Sequence, residues 1–202
     1  MSLLDHCVYI WKNDNKLTLL SLYVDDILLA SNCLDMMYAT KEFLKSKFEM
    51  KDMGEAAYVL GIRISRDRNL NLLYLDQEKY LEKVLKRFGM ENCKSLNTHV
   101  CKAHTLNKSM CPKDREEISE MFKVPYAQVV RSLMFAMTST RPDICHAVGL
   151  VSRFQSNPGK EHWQTVKRIL RYLQSTKNLK LCFGNSDLEL ICYSDADFGS
   201  DI

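Results

Sequence analysis

The chain has 202 residues, of which 46% are hydrophobic and 26% charged, with only seven Gly and four Pro. That balance excludes a disordered or fibrous protein and allows one domain, or one domain and part of another, since domains usually hold roughly 100 to 200 residues. A formal net charge of +3 names no partner by itself, so the distribution of charge has to be read along the chain.

Cys7 to Trp11 and Leu17 to Val24 are apolar, β-favouring runs around the turn-forming cluster Lys12-Asn13-Asp14-Asn15, which predicts a hairpin. Both faces of the second run are apolar, Leu17, Leu19 and Tyr23 against Leu20, Leu22 and Val24. This is the pattern of a strand covered on both sides near the centre of a sheet. Ile27 to Ala30 resumes the apolar run, so Asp25 and Asp26 fall at the tip of a second, tight hairpin. Ser31-Asn32 can cap a helix from about Leu34 to Glu49 with Met37, Leu44 and Phe48 on its inner face. Tyr58 to Ile64 and Leu72 to Leu75, joined by Ser65-Arg66-Asp67-Arg68-Asn69, predict another hairpin. Asp76 then caps a helix with Tyr80, Val84 and Phe88 at i, i+4 and i+8 and Gly89 as its C′ residue.

Residues 91 to 124 are polar, lack periodicity and carry Pro112 and the run Lys113-Asp114-Arg115-Glu116-Glu117, so they read mostly as an extended connection. Beyond them helices are predicted over Tyr126 to Thr138, over Pro142 to Phe154 with Thr140 as cap, and over Glu161 to Leu173. The last turns Trp163, Val166, Ile169, Leu170 and Leu173 inward. Strands at Lys180 to Phe183 and Leu188 to Tyr193 lead into Ser194-Asp195-Ala196-Asp197. The order fits an α+β fold with a helical extension and the start of another sheet.

Two adjacent carboxylates at the end of a buried strand need a physical reason, because desolvating like charges costs several kcal/mol unless something offsets it. A divalent cation would, and Mg2+ (or Mn2+) is held by few carboxylates plus substrate phosphates. Two such ions can activate a 3′-hydroxyl and stabilise a leaving pyrophosphate. An ordinary Asp-Asp turn between strands gives the same local pattern. Lys and Arg concentrate on predicted helices, at Lys79, Lys83, Lys86 and Arg87 and again at Lys160, Lys167, Arg168 and Arg171, as a phosphate-facing surface requires. A solvated helix face with pairs such as Glu82 to Lys86 looks the same.

Tyr23-Val24-Asp25-Asp26 between two apolar strands resembles the catalytic hairpin of reverse transcriptases. The surrounding segments resemble the Pol polyprotein of copia-type LTR retrotransposons along nearly the whole chain. They are Asp5-His6-Cys7-Val8-Tyr9, Leu22 to Leu28, Met50-Lys51-Asp52-Met53-Gly54-Glu55, Tyr58-Val59-Leu60-Gly61-Ile62, Tyr80 to Phe88, and Ser132-Leu133-Met134. Then follow Thr140-Arg141-Pro142-Asp143-Ile144, Ser152-Arg153-Phe154, Asn157-Pro158, His162-Trp163 and Tyr193 to Asp197.

The resemblance implies an RNA-directed DNA polymerase with RNase H, transferring dNTPs to a primer 3′ end on an RNA template with a DNA primer. It implies a partial palm with two hairpins over 1–75, a thumb-like helix and polar connection over 76–125, a helical connection over 126–178, and the start of an RNase H-like domain over 179–202. By the same resemblance Asp25 and Asp26 hold metal, with Asp25 favoured as the direct ligand, and Tyr23 lies under the primer end. Lys51 would protonate or stabilise the leaving pyrophosphate, though a solvated lysine reads alike. Leu60 and Gly61 would grip the primer, with Lys79, Lys83, Lys86 and Arg87 on nucleic acid; a bulge would also call for Gly61. Asp195 would be the first acid of the RNase H site.

The departures are equally specific. The family needs a further aspartate on an earlier strand and a template- and nucleotide-binding region, for which the stretch before Asp25 has no room. Arg131 stands where a small glycine is expected, and Phe198-Gly199-Ser200 replaces Trp-Ala-Gly. The expectation is therefore a polymerase segment that is inactive alone and needs the missing palm and fingers portion. The alternatives are a non-catalytic, element-derived module binding nucleic acid or protein, and a decayed pseudogene product.

No apolar run reaches the ~18 residues of a membrane span, and the first residues lack the basic, apolar and cleavage segments of a secretory leader. The expectation is a cytoplasmic chain without a membrane partner, inside a virus-like particle if the family context holds. Eight Cys carry no Cys-x-x-Cys pair, so reduced thiols are expected. His99, Cys101, His104 and Cys111 form a Cys/His cluster whose H-x-C-x2-H-x6-C spacing fits no usual zinc template. His146 and His162 read as packing or surface residues, and Trp163 as a core anchor or a nucleic-acid contact.

Overall fold

The chain opens on two tight hairpins in succession: β1 (Val8–Asn13), β2 (Lys16–Tyr23) and β3 (Asp26–Ser31), followed by α1 (Leu34–Lys47). The computed structural model describes residues 2–3, 5–99 and 106–184. The first turn falls at Asp14-Asn15, with Asp14 at φ +51°, a conformation that Asp tolerates better than most side chains. Strand order β1-β2-β3 puts β2 at the centre, as its composition predicts.

The expected cover on both faces is not found. Ile10, Leu19 and Tyr23 stand exposed on one face, and Trp11 and Leu22 on the other. The reason is that, among the described residues, the main cover of this sheet is one helix, α1, packed on β2 and β3. Among the described residues, Thr18 and Met36 are the buried ones of this unit. Ser31 and Asn32 do not cap α1, whose N-cap is Cys33. They are engaged at the strand ends, Ser31 Oγ accepting from Cys33 N–H at 3.1 Å and Asn32 Oδ1 from Leu17 N–H at 2.8 Å. Met36 is the inward residue of α1, and Phe48, expected inward, is its exposed C-cap.

The chain divides into two compact units between Ala56 and Ala57. The second begins with β4 (Tyr58–Val59), β5 (Ile62–Asp67) and β6 (Leu72–Asp76), then α2 (Glu78–Arg87) and α3 (Arg115–Phe122), a helix after a 3-10 turn at Lys108–Met110. It continues with α4 (Tyr126–Ser139), a 3-10 turn at Pro142–Ile144, α5 (Cys145–Ser152), α6 (Lys160–Thr176) and β7 (Leu181–Gly184). The single strand expected over Tyr58 to Ile64 is cut by a two-residue turn at Leu60-Gly61, with φ +53° and +80°. Two positive φ values in succession make the hairpin twist that suits flanking strands.

β7 pairs with β6, Leu75 opposite Leu181 and Leu72 opposite Gly184, completing a sheet of order β4-β5-β6-β7. The strand expected to open a further domain thus belongs to the sheet of residues 58–76. The strand expected at Leu188 to Tyr193 lies outside the described residues.

The core of this unit is helical. Leu81, Val84 and Leu85 of α2 meet Val129, Val130 and Leu133 of α4, Ala147, Val148 and Val151 of α5, and Val166, Ile169, Leu170 and Leu173 of α6. Each fully buried aliphatic side chain of this kind stabilises by about 1.5–3 kcal/mol. α2 ends as its Gly89 predicts: Met90 N–H bonds Leu85 O at 2.8 Å and Gly89 N–H bonds Lys86 O at 3.1 Å, with Gly89 at φ +65°. Gln77 takes the N-cap position of α2, while the Asp76 carboxylate accepts the Glu78 N–H that starts the helix at 3.4 Å and the Arg63 Nε–H at 2.9 Å.

Two further expectations are corrected. The charged run 113–117 opens α3: Asp114 accepts from Glu117 N–H at 2.8 Å while the Glu117 carboxylate accepts from Lys113 N–H at 3.1 Å. An Asp-x-x-Glu spacing is the capping signal that the high charge concealed. Thr140 caps the end of α4, its hydroxyl donating to Gln77 Oε1 at 2.9 Å, and α5 starts only at Cys145. Among the described residues no helix is long and apolar enough to cross a membrane.

Candidate active-site hairpin and cationic surface

The β2–β3 register ends at Tyr23 opposite Asp26, which leaves Val24 and Asp25 as the whole of the turn. Val24 takes φ +51°. For a β-branched side chain that is an outlier, and holding it costs about 1–3 kcal/mol. Asp25 would tolerate a left-handed turn position well, yet the strained place falls on valine. The tip is open to solvent, Val24 being 80% and Tyr23 57% exposed, and Asp25 and Asp26 are exposed as well. The carboxylates therefore carry no large desolvation cost, and the burial argument made from the strand pattern does not apply to them. Tyr23 and Asp26 share the sheet face of Leu19 and Ile10, by alternation and register.

Two adjacent carboxylates are hard oxygen donors of the kind Mg2+ takes together with substrate phosphates. Among the described residues there is no group of three or more His, Cys, Asp or Glu able to hold a metal ion. The donor chemistry fits a divalent cation, and the hairpin offers two of the ligands it would need.

In the same unit Lys51 is exposed and leads into a fixed turn. The next residue, Asp52, accepts Gly54 N–H at 2.9 Å and pairs with Lys41 at 3.0 Å. The Gly54 N–H and the Lys41 ammonium hold its carboxyl below the usual carboxylate range.

In the second unit Leu60 is exposed at the tip of β4–β5. A Cβ on Gly61 would meet nothing, so its positive φ, not close packing within the chain, is what requires glycine. Lys79, Lys83, Lys86 and Arg87, at i, i+4, i+7 and i+8, line one exposed face of α2 opposite Leu81, Val84 and Leu85. Lys79 Nζ lies 5.1 Å from the Tyr58 ring centroid. Glu82 pairs with Lys177 at 2.9 Å and not with Lys86.

The cations of α6 are a different matter. Lys160 pairs with Glu120 at 2.7 Å, Arg168 donates to Thr98 Oγ1 at 2.6 Å, and Arg171 donates to the Lys94 carbonyl at 2.6 Å. Gln174 and Ser175 donate to the carbonyls of Glu91 and Leu96. Arg168, Arg171, Gln174 and Ser175 strap residues 91–98 against the helix, so Arg168 and Arg171 are engaged within the chain. Lys167 stands 6.0 Å from the Trp163 ring, and Trp163 packs against the core.

Of the zinc candidates, His99 lies against Tyr172 and Cys111 is half-buried, while Cys101 and His104 are outside the described residues. Asp195 and Asp197 are outside them too. Sequence reasoning missed a polar clamp in Thr140-Arg141-Pro142-Asp143. Arg141 is buried, donating from Nε and Nη2 to the two Asp143 oxygens at 3.0 and 2.7 Å, from Nη1 to the Thr176 carbonyl at 2.9 Å and from Nη2 to the Thr176 hydroxyl at 2.7 Å. An Arg two residues before an Asp, across a proline, was the signal available.

The family model described as reverse transcriptase (RNA-dependent DNA polymerase) matches residues 2–102. The chain is 50% identical over 199 residues to the retrovirus-related Pol polyprotein from transposon TNT 1-94 of Nicotiana tabacum, covering 98% of the chain and 15% of that protein. It is 34% identical over 202 residues to the Pol polyprotein from transposon RE1 of Arabidopsis thaliana, covering 99% of the chain and 13% of that protein. An uncharacterized mitochondrial protein of Arabidopsis thaliana is 34% identical over 180 residues, 89% of the chain and 71% of its own length. No solved structure matches the chain. Spanning 15% and 13% of those two polyproteins, the chain belongs to the reverse transcriptase family and corresponds to a segment of a copia-type retrotransposon Pol polyprotein.

Proposed function

We propose that this segment supplies the metal-binding hairpin and part of the primer–template surface of an RNA-directed DNA polymerase. The observation that carries the reading is the two-residue turn that places conformational strain on Val24 and projects Asp25 and Asp26 from the end of a central strand. Strain kept at an exposed turn, where glycine or asparagine would relieve it, is characteristic of functional sites.

In this reading Asp25 and Asp26 hold Mg2+ or Mn2+, with further ligands from substrate phosphates and from the palm and fingers portion of the polyprotein. The ions supply charge stabilisation and an activated 3′-hydroxyl for in-line transfer of a dNTP to the primer. Tyr23, beside Asp26, supports the primer end, and the Lys51 ammonium stabilises or protonates the leaving pyrophosphate. The Leu60-Gly61 tip and the row Lys79, Lys83, Lys86 and Arg87 hold the DNA primer on its RNA template. Residues 1–75 then act as palm, 76–125 as thumb and connection, 126–178 as helical connection, and Asp195 begins an RNase H site, in a cytoplasmic particle.

Placed in a Pol polyprotein in place of its corresponding 199-residue segment, the chain is expected to support extension of a primer on an RNA template. Asp25→Asn should abolish that extension, and a chimera that extends equally well with Asp25→Asn refutes the assignment. The chain by itself is expected to give no product with Mg2+ or Mn2+.

A second reading, a non-catalytic nucleic-acid-binding module, is favoured by one observation: among the described residues the cationic row on α2 is complete, whereas no group of three or more metal-ligating side chains is. Binding to a primed template with a steep salt slope, unchanged by Asp25→Ala, together with an inactive chimera, would establish it.

A further inference from the structure

α6 starts at Lys160 after its N-cap Gly159, and the N–H groups of a first helical turn have no partner inside the helix. Here the Gly159 N–H donates to His162 Nδ1 at 2.8 Å. The imidazole is fully buried and stacked on Phe154, ring centroids 3.9 Å apart and 15° from parallel. An accepting Nδ1 assigns the proton of the neutral ring to Nε2. Nε2 is buried and faces the backbone of Asn107. Asn107 in turn begins the 3-10 turn at Lys108–Met110. That turn presses on the start of α6 so closely that a Cβ on Gly159 would lie 1.8 Å from the Met110 carbonyl oxygen. From α3, Glu120 reaches across to Lys160 at 2.7 Å. Imidazole, glycine and ion pair form one joint between residues 107–122 and the helix.

We infer that neutral His162 is a proton-operated latch at this joint, and that its protonation releases the 3-10 turn and α3 from the start of α6 while the helical core stays closed. A second proton would sit on Nδ1 and turn the acceptor of the Gly159 N–H into a donor facing a donor. The imidazolium would also be buried at the positive end of the α6 dipole. The charged groups around the joint are Glu161 and Lys160 on α6, Glu116, Glu117 and Glu120 on α3, Lys108 on the 3-10 turn and Arg153 after α5. Burial holds His162 below the ordinary imidazole value, outweighing the Asn107 backbone and Glu161, which favour the charged ring. A group whose closed-state value is depressed supports the closed state above its open-state value and loses that support as pH falls. The window therefore runs from about 6.5 downward to the closed-state value, and across it the opening constant rises about tenfold per pH unit. The core side chains Val166, Ile169, Leu170 and Leu173 continue the buried face of His162 in later turns of α6 and pack on α2, α4 and α5, not on residues 107–122, so opening is local.

Amide hydrogen exchange between pH 7.5 and 5, corrected for intrinsic chemistry, tests this directly. Protection of 107–122 should fall about tenfold per pH unit below 6.5, while the amides of α4 and α5 keep theirs. In His162→Gln the side-chain oxygen can still accept from Gly159 N–H and cannot titrate in this range, so protection should become independent of pH. The same pH dependence in His162→Gln, or none in the native chain before global unfolding, overturns the latch. Should the variant fail to fold, imidazole 15N shifts of the native chain decide. An Nε2–H tautomer titrating below 6.5 in step with the exchange supports the proposal, and titration at or above 6.5 refutes it.

Discussion

Truncating Asp143 should destabilise the helical unit more than removing its partner Arg141, although the two belong to one ion pair. The asymmetry comes from exposure: the Arg141 side chain is 2% accessible and that of Asp143 is 34%. Asp143→Ala leaves a buried guanidinium with two neutral acceptors, the Thr176 carbonyl and hydroxyl, where it had a bidentate carboxylate. A buried charge stripped of its counter-ion costs about 3–5 kcal/mol. Arg141→Met instead removes the buried charge and fills its path with an apolar chain, while the Asp143 carboxylate turns to water. What remains is the lost donor to Thr176 O, about 1–3 kcal/mol. Urea unfolding followed by Trp163 emission in a Trp11→Phe background reads this unit, since these are the two tryptophans of the chain. An Arg141→Met loss equal to or above that of Asp143→Ala, or both below about 1 kcal/mol, would refute the reasoning. Acid supplies a second check. Burial raises the Asp143 carboxyl, but the hydrogen bonds from Arg141 and Tyr172 outweigh it and hold the group below the usual 3.8. A lowered folded value means stability that is present above the unfolded value and lost as pH falls below about 3.8 through the folded value, a loss that Asp143→Ala should not show.

Val24→Gly should stabilise the first unit by about 1 kcal/mol by removing a β-branched side chain from positive φ, read by Trp11 emission in a Trp163→Phe background; unchanged stability would mean that no strain is held there. Gly159→Ala should cost about 1–3 kcal/mol or more in urea unfolding, because the new methyl meets the Met110 backbone and not a side-chain end that could move; a neutral result would contradict the packing of the joint. Reversing Lys83 and Lys86 to Glu should weaken binding to a primed template and lower its log–log salt slope by about 0.7–0.9 for each phosphate no longer neutralised, measured by fluorescence anisotropy. Equal slopes for variant and native chain would remove α2 from the interface.

What could be read in advance is local. A tight hairpin tip followed from two apolar runs with too little between them for anything else, although the turn falls at Val24-Asp25, one residue before the expected Asp25-Asp26, because Asp26 pairs with Tyr23. α2 and α6 followed from apolar spacing, and the end of α2 from Gly89. Misreadings arose where one signal hid another. The charge of 113–117 masked a capping pair, and the apolar Tyr58 to Ile64 run masked a turn because leucine is an unexpected residue at positive φ. Thr140 carries the chemistry of a helix N-cap, but Gln77, distant in sequence, claims its side chain, and Asp76 divides its carboxylate between the start of α2 and Arg63.

By itself the sequence determined the family and the placement of Tyr23-Val24-Asp25-Asp26, since turn chemistry and periodicity act over a few residues and survive in the order of the chain. Tertiary structure alone decided which apolar residues are covered and which cations are engaged. Leu19 and Leu22 stay open because one helix, not two layers, packs on their sheet. Arg168 and Arg171 are occupied because residues 91–98 fold back onto α6. β7 joins the sheet of β6 because Gly184 lets the two backbones close at Asn71, where any side chain would collide, and no pattern within either strand announces such a pairing.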